Sequence, residues 1–224
     1  MRFALRSLAR HPGFALVSAL TMAIAVAGNA AIFALLKALV LDPLPFRNAQ
    51  ELVTLDVRST RGFLISTSIP NYRDWVGGRS FQRHGAETPW GMVLTGRDRA
   101  EVLDLRAVLG DLFGTLNLSA YRGRLFTAVE TQPGAPGTVV LGYAFWQSRF
   151  GGDPAIVGQS LTLDQRPYLV IGILPAGVGY PSPEVQGYVP MGSLPGLPWD
   201  DRQSSFSTRV VARQIGRASC RERV

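Results

Sequence analysis

From Pro12 to Leu36 the chain runs for twenty-five residues without a formal charge, reading PGFALVSALTMAIAVAGNAAIFALL. Roughly 20 predominantly apolar residues are enough to cross the hydrocarbon core of a bilayer as a helix. Lipid offers the backbone no hydrogen-bond partners, so such a run must bond to itself, which a helix does despite Gly28 and the β-branched residues. Pro12 fits the first turn, where no amide hydrogen is required. The expectation is a transmembrane helix over residues 12–41, ended by Asp42-Pro43-Leu44-Pro45.

The flanks set its orientation. Arg2, Arg6 and Arg10 precede the span, and only Lys37 lies near its end. Basic flanks stay cytoplasmic, so residues 1–11 are expected inside and residues from 42 onward outside. The three arginines recur every four residues opposite Ala4, Leu5, Leu8 and Ala9. That pattern fits an amphipathic helix lying on anionic headgroups and, equally, an ordinary basic flank. A cleavable signal peptide is the rival reading, with Ala25-Val26-Ala27 as its small-residue site. A signal core needs only ~7 to 15 apolar residues. Here apolar character continues through Ile32, Phe33, Leu35, Leu36, Leu39 and Val40, which favours an uncleaved span.

Within the span, Ala15, Ala19, Ala23, Ala27 and Ala31 recur at spacing four, with Gly28 and Asn29 close by. Small residues let helices approach closely in lipid, and a buried Asn seeks a partner on a neighbouring helix. These five alanines and Asn29 are expected to form a helix-packing face, although alanine is common in membrane helices generally. Its partners would be other helices of a longer protein or of another chain.

The net charge of +7 points first to nucleic acid, but its distribution argues otherwise. Residues 1–37 hold four basic side chains and no acidic one, and residues 213–224 hold four arginines against Glu222. Residues 38–212 carry fifteen basic and fifteen acidic side chains, so the central region has no general attraction for phosphate backbones. The single cysteine, Cys220, allows no internal disulfide.

After the span, alternating or short apolar runs read as strands at Leu52 to Val57, Met92 to Thr95, Val102 to Val108, Thr138 to Leu141, Ser160 to Leu163, Tyr168 to Leu174 and Tyr188 to Met191. Helices are expected from Ser68 to Trp75, from Asp111 to Leu116 and from Gly142 to Phe150. Asp164 to Pro167 reads as a hairpin loop, and Pro175 to Pro198 as mostly loop around one strand. Strands outnumber helices without a regular βαβ alternation, so the region over residues 42–212 is expected to be α+β.

No catalytic constellation emerges. Only His11 and His84 are present, there is no Gly-x-Ser-x-Gly elbow, and the lone lysine ends the span rather than a phosphate loop. Gly177-Val178-Gly179 reads as a turn, and Asp200-Asp201 and Arg122-Gly123-Arg124 as solvated loops. Trp75, Phe81, Trp146, Phe150 and Tyr168 fit core packing. The chain is therefore expected not to be an enzyme, and no cofactor or metal is implied.

Several strings, in order, carry a family resemblance: Leu5 to Phe14, Asn29 to Phe33, Asp42 to Phe46, Ser68 to Trp75, Gly123 to Phe126, Trp146 to Gly158 and Tyr168 to Pro175. Together they resemble the FtsX-like permeases with a MacB-type periplasmic core domain. The resemblance implies a permease subunit of an ABC-type export or mechanotransmission system in the bacterial inner membrane, with an α+β periplasmic domain between the first helix and later ones. It implies as partners membrane lipid, the remaining permease helices, a second copy of the chain, a separate ABC ATPase and a periplasmic protein. Later helices are not seen here, so the chain reads as a fragment, and residues 213–224 read as a basic tail foreign to the family. The alternative is a signal-anchored periplasmic interaction or sensor module without transport activity. A secreted enzyme would require cleavage after Ala27 and a catalytic group that is not found.

Overall fold

The apolar run forms one helix, α1 (Pro12–Leu36), long and apolar enough to cross a membrane. Within it the Thr21 hydroxyl donates to the carbonyls of Val17 (3.1 Å) and Ser18 (3.0 Å). This is how a hydroxyl is satisfied inside an apolar helix without an outside partner. The computed structural model describes residues 12–36, 51–55, 57–58, 64–65, 67–77, 81–96, 100–204 and 208–214. Arg2, Arg6, Arg10, His11 and Cys220 lie outside those residues, as does the expected end of the span at 37–41. The chain divides into two units, Met1–Leu44 and Pro45–Val224, each described by itself.

The second unit begins with β1 (Leu52–Leu55), then β2 (Val57–Arg58) and β3 (Leu64–Ile65), which pair with each other. Helix α2 (Ile69–Val76) follows, with the Ser68 hydroxyl accepting from the Asn71 N–H at 3.3 Å and Pro70 in the first turn. β4 (Phe81–Thr95) and β5 (Glu101–Gly110) form a long antiparallel hairpin, after which Asp111 caps the short α3 (Leu112–Thr115). β6 (Arg122–Gly123), β7 (Thr138–Leu141), α4 (Tyr143–Phe150), β8 (Ser160–Leu163), β9 (Arg166–Ile173), β10 (Gly187–Pro190) and β11 (Arg209–Gln214) complete the unit.

The strand pairings close on themselves. β4 pairs β5, β5 pairs β10 in parallel, β10 pairs β7, β7 pairs β9 in parallel, β9 pairs β8, and β8 returns to β4 through Leu94↔Leu163. Closure leaves those strands few free edges. Inward-facing residues alternate along each strand, so Met92, Leu94, Leu103, Leu105, Leu163 and Tyr168 share one buried cluster. The opposite faces of β5, β7, β9 and β10 build a second cluster with Phe113, Leu116 and Phe126 around Tyr188. β11 and then β1 extend the sheet from the first half of β4. The unit is α+β, as expected.

Four local expectations change. The strand placed at Met92 to Thr95 is the end of β4, which starts at Phe81. Gly85, Pro89 and Gly91 mask it in the sequence. Pro89 is tolerated because β11 last meets β4 at Glu87 and β8 first meets it at Leu94, so no strand needs the missing N–H between them. The hairpin loop contains only Asp164 and Gln165, whose φ values of 46° and 62° make the tight turn. The Asp164 carboxylate accepts from the Val93 N–H at 2.8 Å, which fastens this turn to β4. Arg122-Gly123 is solvent-exposed as expected but forms a short strand paired to β9 rather than a turn, with glycine at 123 allowing close approach to the Ile171 carbonyl at φ +70°. Finally, β11 was absent from the expected strands, and it carries Arg213 and Gln214, both assigned to the basic tail, into the sheet. Residues 215–224 lie outside the described residues.

Candidate functional site

Two places carry features beyond ordinary packing: the faces of α1, and the edge of the domain where β1 and β11 meet. On α1 the described side chains from Leu16 to Ala34 are exposed. A step of four residues turns an ideal helix by about 40° beyond a full circle, so the alanine series winds around α1 as an inclined ridge. Ala19, Ala23 and Ala27 span only ~80° of it. Asn29 sits roughly 160° around the helix from Ala27 and Ala31, which removes it from the alanine face. It falls instead within about 20° of Ser18 on a second, polar stripe.

In the domain, Leu52 of β1 pairs with Arg213 of β11, so the chain enters and leaves at the same corner. Arg213 holds that corner. Its side chain is buried, with Nε and Nη2 donating to the Thr115 carbonyl at 3.2 and 2.9 Å and Nη1 meeting the Glu51 carboxylate at 2.8 Å. The guanidinium thus ties β11, the end of α3 and the residue before β1 together. Arg213→Ala would leave the Thr115 carbonyl buried without this donor. The expected loss is about 3 kcal/mol of unfolding free energy, read from urea midpoints of the full chain in detergent. Arg213→Lys should recover less than half of it, since one ammonium cannot replace the planar fork.

On the strand next to β11, Glu87 of β4 is fully buried. Its oxygens lie 3.9 Å from Arg106 Nη1 on β5 and 3.6 Å from Arg209 Nη1 on β11. Neither oxygen accepts a hydrogen bond from the described residues. Burial pushes the Glu87 carboxyl up to about 7, against the pull of the two guanidiniums.

The remaining candidates resolve as structure. His84 Nδ1 is 2.8 Å from the Tyr72 hydroxyl, and burial holds the imidazole below its usual range against the opposing charge of Asp111. Asp200 pairs with Arg73 at 3.2 Å, and Asp201 accepts from the Gln203 N–H and the Ser204 hydroxyl. Arg73 also stacks over Trp199, and Arg202 bonds Asp74 at 2.6 Å, so Asp200 helps dock the 199–204 loop on α2 while Asp201 braces the loop internally. Gly177 has φ +70° in a turn. Tyr168 and Trp146 are buried, while Trp75 and Phe150 pack against the core. Among the described residues no group of three or more His, Cys, Asp or Glu side chains is placed to hold a metal.

The family strings prove architectural. In Trp146 to Gly158, the indole N–H donates to the Asp153 carbonyl at 2.9 Å, Gly151 ends α4 at φ +61°, and the Asp153 carboxylate caps the turn at Pro154–Ile156. Arg213 and Glu87 belong to no string and were missed. The only signals in the sequence were an arginine between apolar residues and a glutamate near a proline.

The comparisons agree with this fold. The profile of the MacB-like periplasmic core domain matches residues 15–215. The periplasmic region of MacB from Actinobacillus actinomycetemcomitans superposes with TM-score 0.56 at 15% identity, over 75% of this chain and 76% of that one. The extracellular domain of the noncanonic ABC-type transporter YknZ from Gram-positive bacteria gives TM-score 0.55 at 16% identity, over 74% of this chain and 84% of that one. No curated protein matches by sequence.

Proposed function

The chain belongs to the family of MacB-like periplasmic core domains, and from that premise we propose that it is the first helix and extracytoplasmic domain of an ABC-type permease subunit. The observation that carries the reading is the Leu52↔Arg213 pairing. A domain whose incoming and outgoing strands are neighbours suits insertion between two membrane helices, since both links depart from one corner. Motion of those helices then reaches the domain through β1 and β11, and the domain passes it to an exported substrate or a periplasmic partner. Arg2, Arg6 and Arg10 keep the N-terminus in the cytoplasm of the inner membrane. An ABC ATPase in contact with the cytoplasmic side supplies the energy, and the domain itself performs no catalysis.

The two faces of α1 support the same reading. A helix lying alone in lipid gains nothing from a ridge of small residues, or from Ser18 and Asn29 on another side. In a permease, Ala19, Ala23 and Ala27 would face one helix and Asn29 another.

Single cysteines at positions 19, 23 and 27, crosslinked in native membranes of the full-length permease, are expected to trap protein partners. Cysteines at 17 and 28, which lie roughly 120–140° around the helix from Ala23, should trap fewer. Crosslinks to lipid alone from all of them would defeat the packing reading. Sequencing the gene beyond the codon for Gln214 gives an independent check, because further apolar spans are expected there.

A further inference from the structure

Glu87 has no part in the reading above, and its surroundings are unusual for a buried carboxylate. Such groups ordinarily collect several hydrogen bonds, whereas both Glu87 oxygens accept none from the described residues. The charged and titratable groups around it come from three strands. Arg106 and Asp104 lie on β5, joined to each other at 3.1 Å, Arg209 lies on β11, and Tyr188 lies on β10. The Tyr188 hydroxyl is engaged with the Tyr180 backbone, so it gives Glu87 no bond. Asp104 adds like charge. The Arg209 side chain is 55% exposed and sits directly opposite Glu87 in the β4–β11 register, which makes it the partner able to move.

We propose that Glu87 is a proton-operated latch on β11, the strand by which the chain leaves the domain. Protonated, the neutral carboxyl fits the dry space and β11 seats fully on β4. Ionised, it needs hydrogen bonds that the seated arrangement does not provide, and it obtains them by drawing in water or Arg209 as the β4–β11 pairing loosens. β1 is paired to the far side of β11 and loosens with it. External acidity would thereby stiffen the corner that connects the domain to its membrane links, and neutral or alkaline surroundings would relax it. The latch stands on the packing of β4, β5 and β11 alone; its influence on transport rests on the permease reading.

The direction of the effect follows from the raised carboxyl. Between the ordinary glutamate value of 4.5 and the buried value of about 7, the seated form holds a proton that the opened form has released. Opening therefore becomes easier as pH rises through that window and levels off above it. Between pH 5 and pH 8 the opening equilibrium should grow on the order of 50-fold.

The test is amide hydrogen exchange of the full chain in nanodiscs from pH 5 to pH 8, corrected for intrinsic exchange. It compares residues 209–214 with the reference strands β7 and β9. Wild type should lose protection in β11 relative to the reference as pH rises, by tens-fold, with a plateau above about pH 7. Glu87→Gln should be flat across the range. Arg209→Gln, which removes a charge favouring the ionised carboxyl, should push the plateau to higher pH. A flat wild-type profile, or a rise that persists in Glu87→Gln, would overturn the proposal. Should Glu87→Gln fail to fold, the wild-type and Arg209→Gln profiles still decide. Loss of the α1 crosslinks would leave all of these outcomes unchanged, so the two readings fail separately.

Discussion

With arginine at both Ile24 and Val26, the chain is expected to leave the membrane fraction. Both positions lie in the middle of α1, within its apolar window from Leu16 to Ala34. On insertion scales an arginine at a helix centre costs about 2.5–3.5 kcal/mol, so the pair costs roughly 5–7 kcal/mol. That is enough to reverse the insertion of a single helix, because long side chains at mid-depth reach the interface poorly. Carbonate extraction of cell membranes measures the outcome. Wild type should stay in the pellet with its N-terminus intact, and the double variant should move to the supernatant. Gly13→Arg, at the start of α1, should remain in the pellet because its charge lies near the headgroups. Wild type recovered in the soluble fraction and shortened at its start would identify the run as a signal peptide instead.

The second large effect is expected at Tyr188. Its ring is completely buried at the centre of the second core cluster and meets Phe113 edge to face at 5.3 Å between centroids. Its hydroxyl accepts from the Tyr180 N–H at 2.8 Å and donates to the Tyr180 carbonyl at 3.1 Å, which pins the loop before β10. Tyr188→Ala removes a large ring from the second cluster that its neighbours cannot close over, at a cost of about 3–5 kcal/mol. Tyr188→Phe keeps the ring but strips two backbone groups of their partner, costing about 1–3 kcal/mol. Urea unfolding of the full chain in detergent, followed by tryptophan fluorescence, separates the two. Equal losses for Ala and Phe would mean that the hydroxyl bonds matter more than the packing. Burial pushes the Tyr188 hydroxyl up to about 12, so it stays protonated across pH 6 to 9 and its own ionisation adds nothing to either result.

Much of the domain was legible where the signal is local. Ser68 and Pro70 mark the start of α2, and Gly151 marks the end of α4. Thr138 to Leu141 and Ser160 to Leu163 read as strands from short apolar or alternating runs, and both have the expected ends. β4 and β11 were illegible for the opposite reason. The first eleven residues of β4, FQRHGAETPWG, have no apolar alternation, and they form a strand because β11 pairs the stretch from Phe81 to Glu87 and β5 the stretch from Gly85 onward. β11 mixes arginines with small apolar residues and looked like the start of a tail. Only its place between β1 and β4 buries Val210, Val211 and Ala212.

The candidate sites divide along the same line. The helix faces could be found from residue spacing, provided each position is turned by about 100° rather than counted along the chain. That rotation is what sets Asn29 apart from Ala27. The corner and the latch could not be found that way, because Arg213 meets Thr115 and Glu51, and Glu87 meets Arg106 and Arg209, across long stretches of chain.

By itself the sequence determined that α1 must be a helix if it lies in lipid, since twenty-five uncharged residues leave the backbone no other way to satisfy its polar groups. It also determined the caps and turns, whose partners lie within a few residues. Only the tertiary structure decided which polar strand residues are buried, and hence that Glu87 and Arg213 carry unusual duties. Burial depends on which strands lie side by side, and that pairing is set by the closure of the whole sheet rather than by any segment of it.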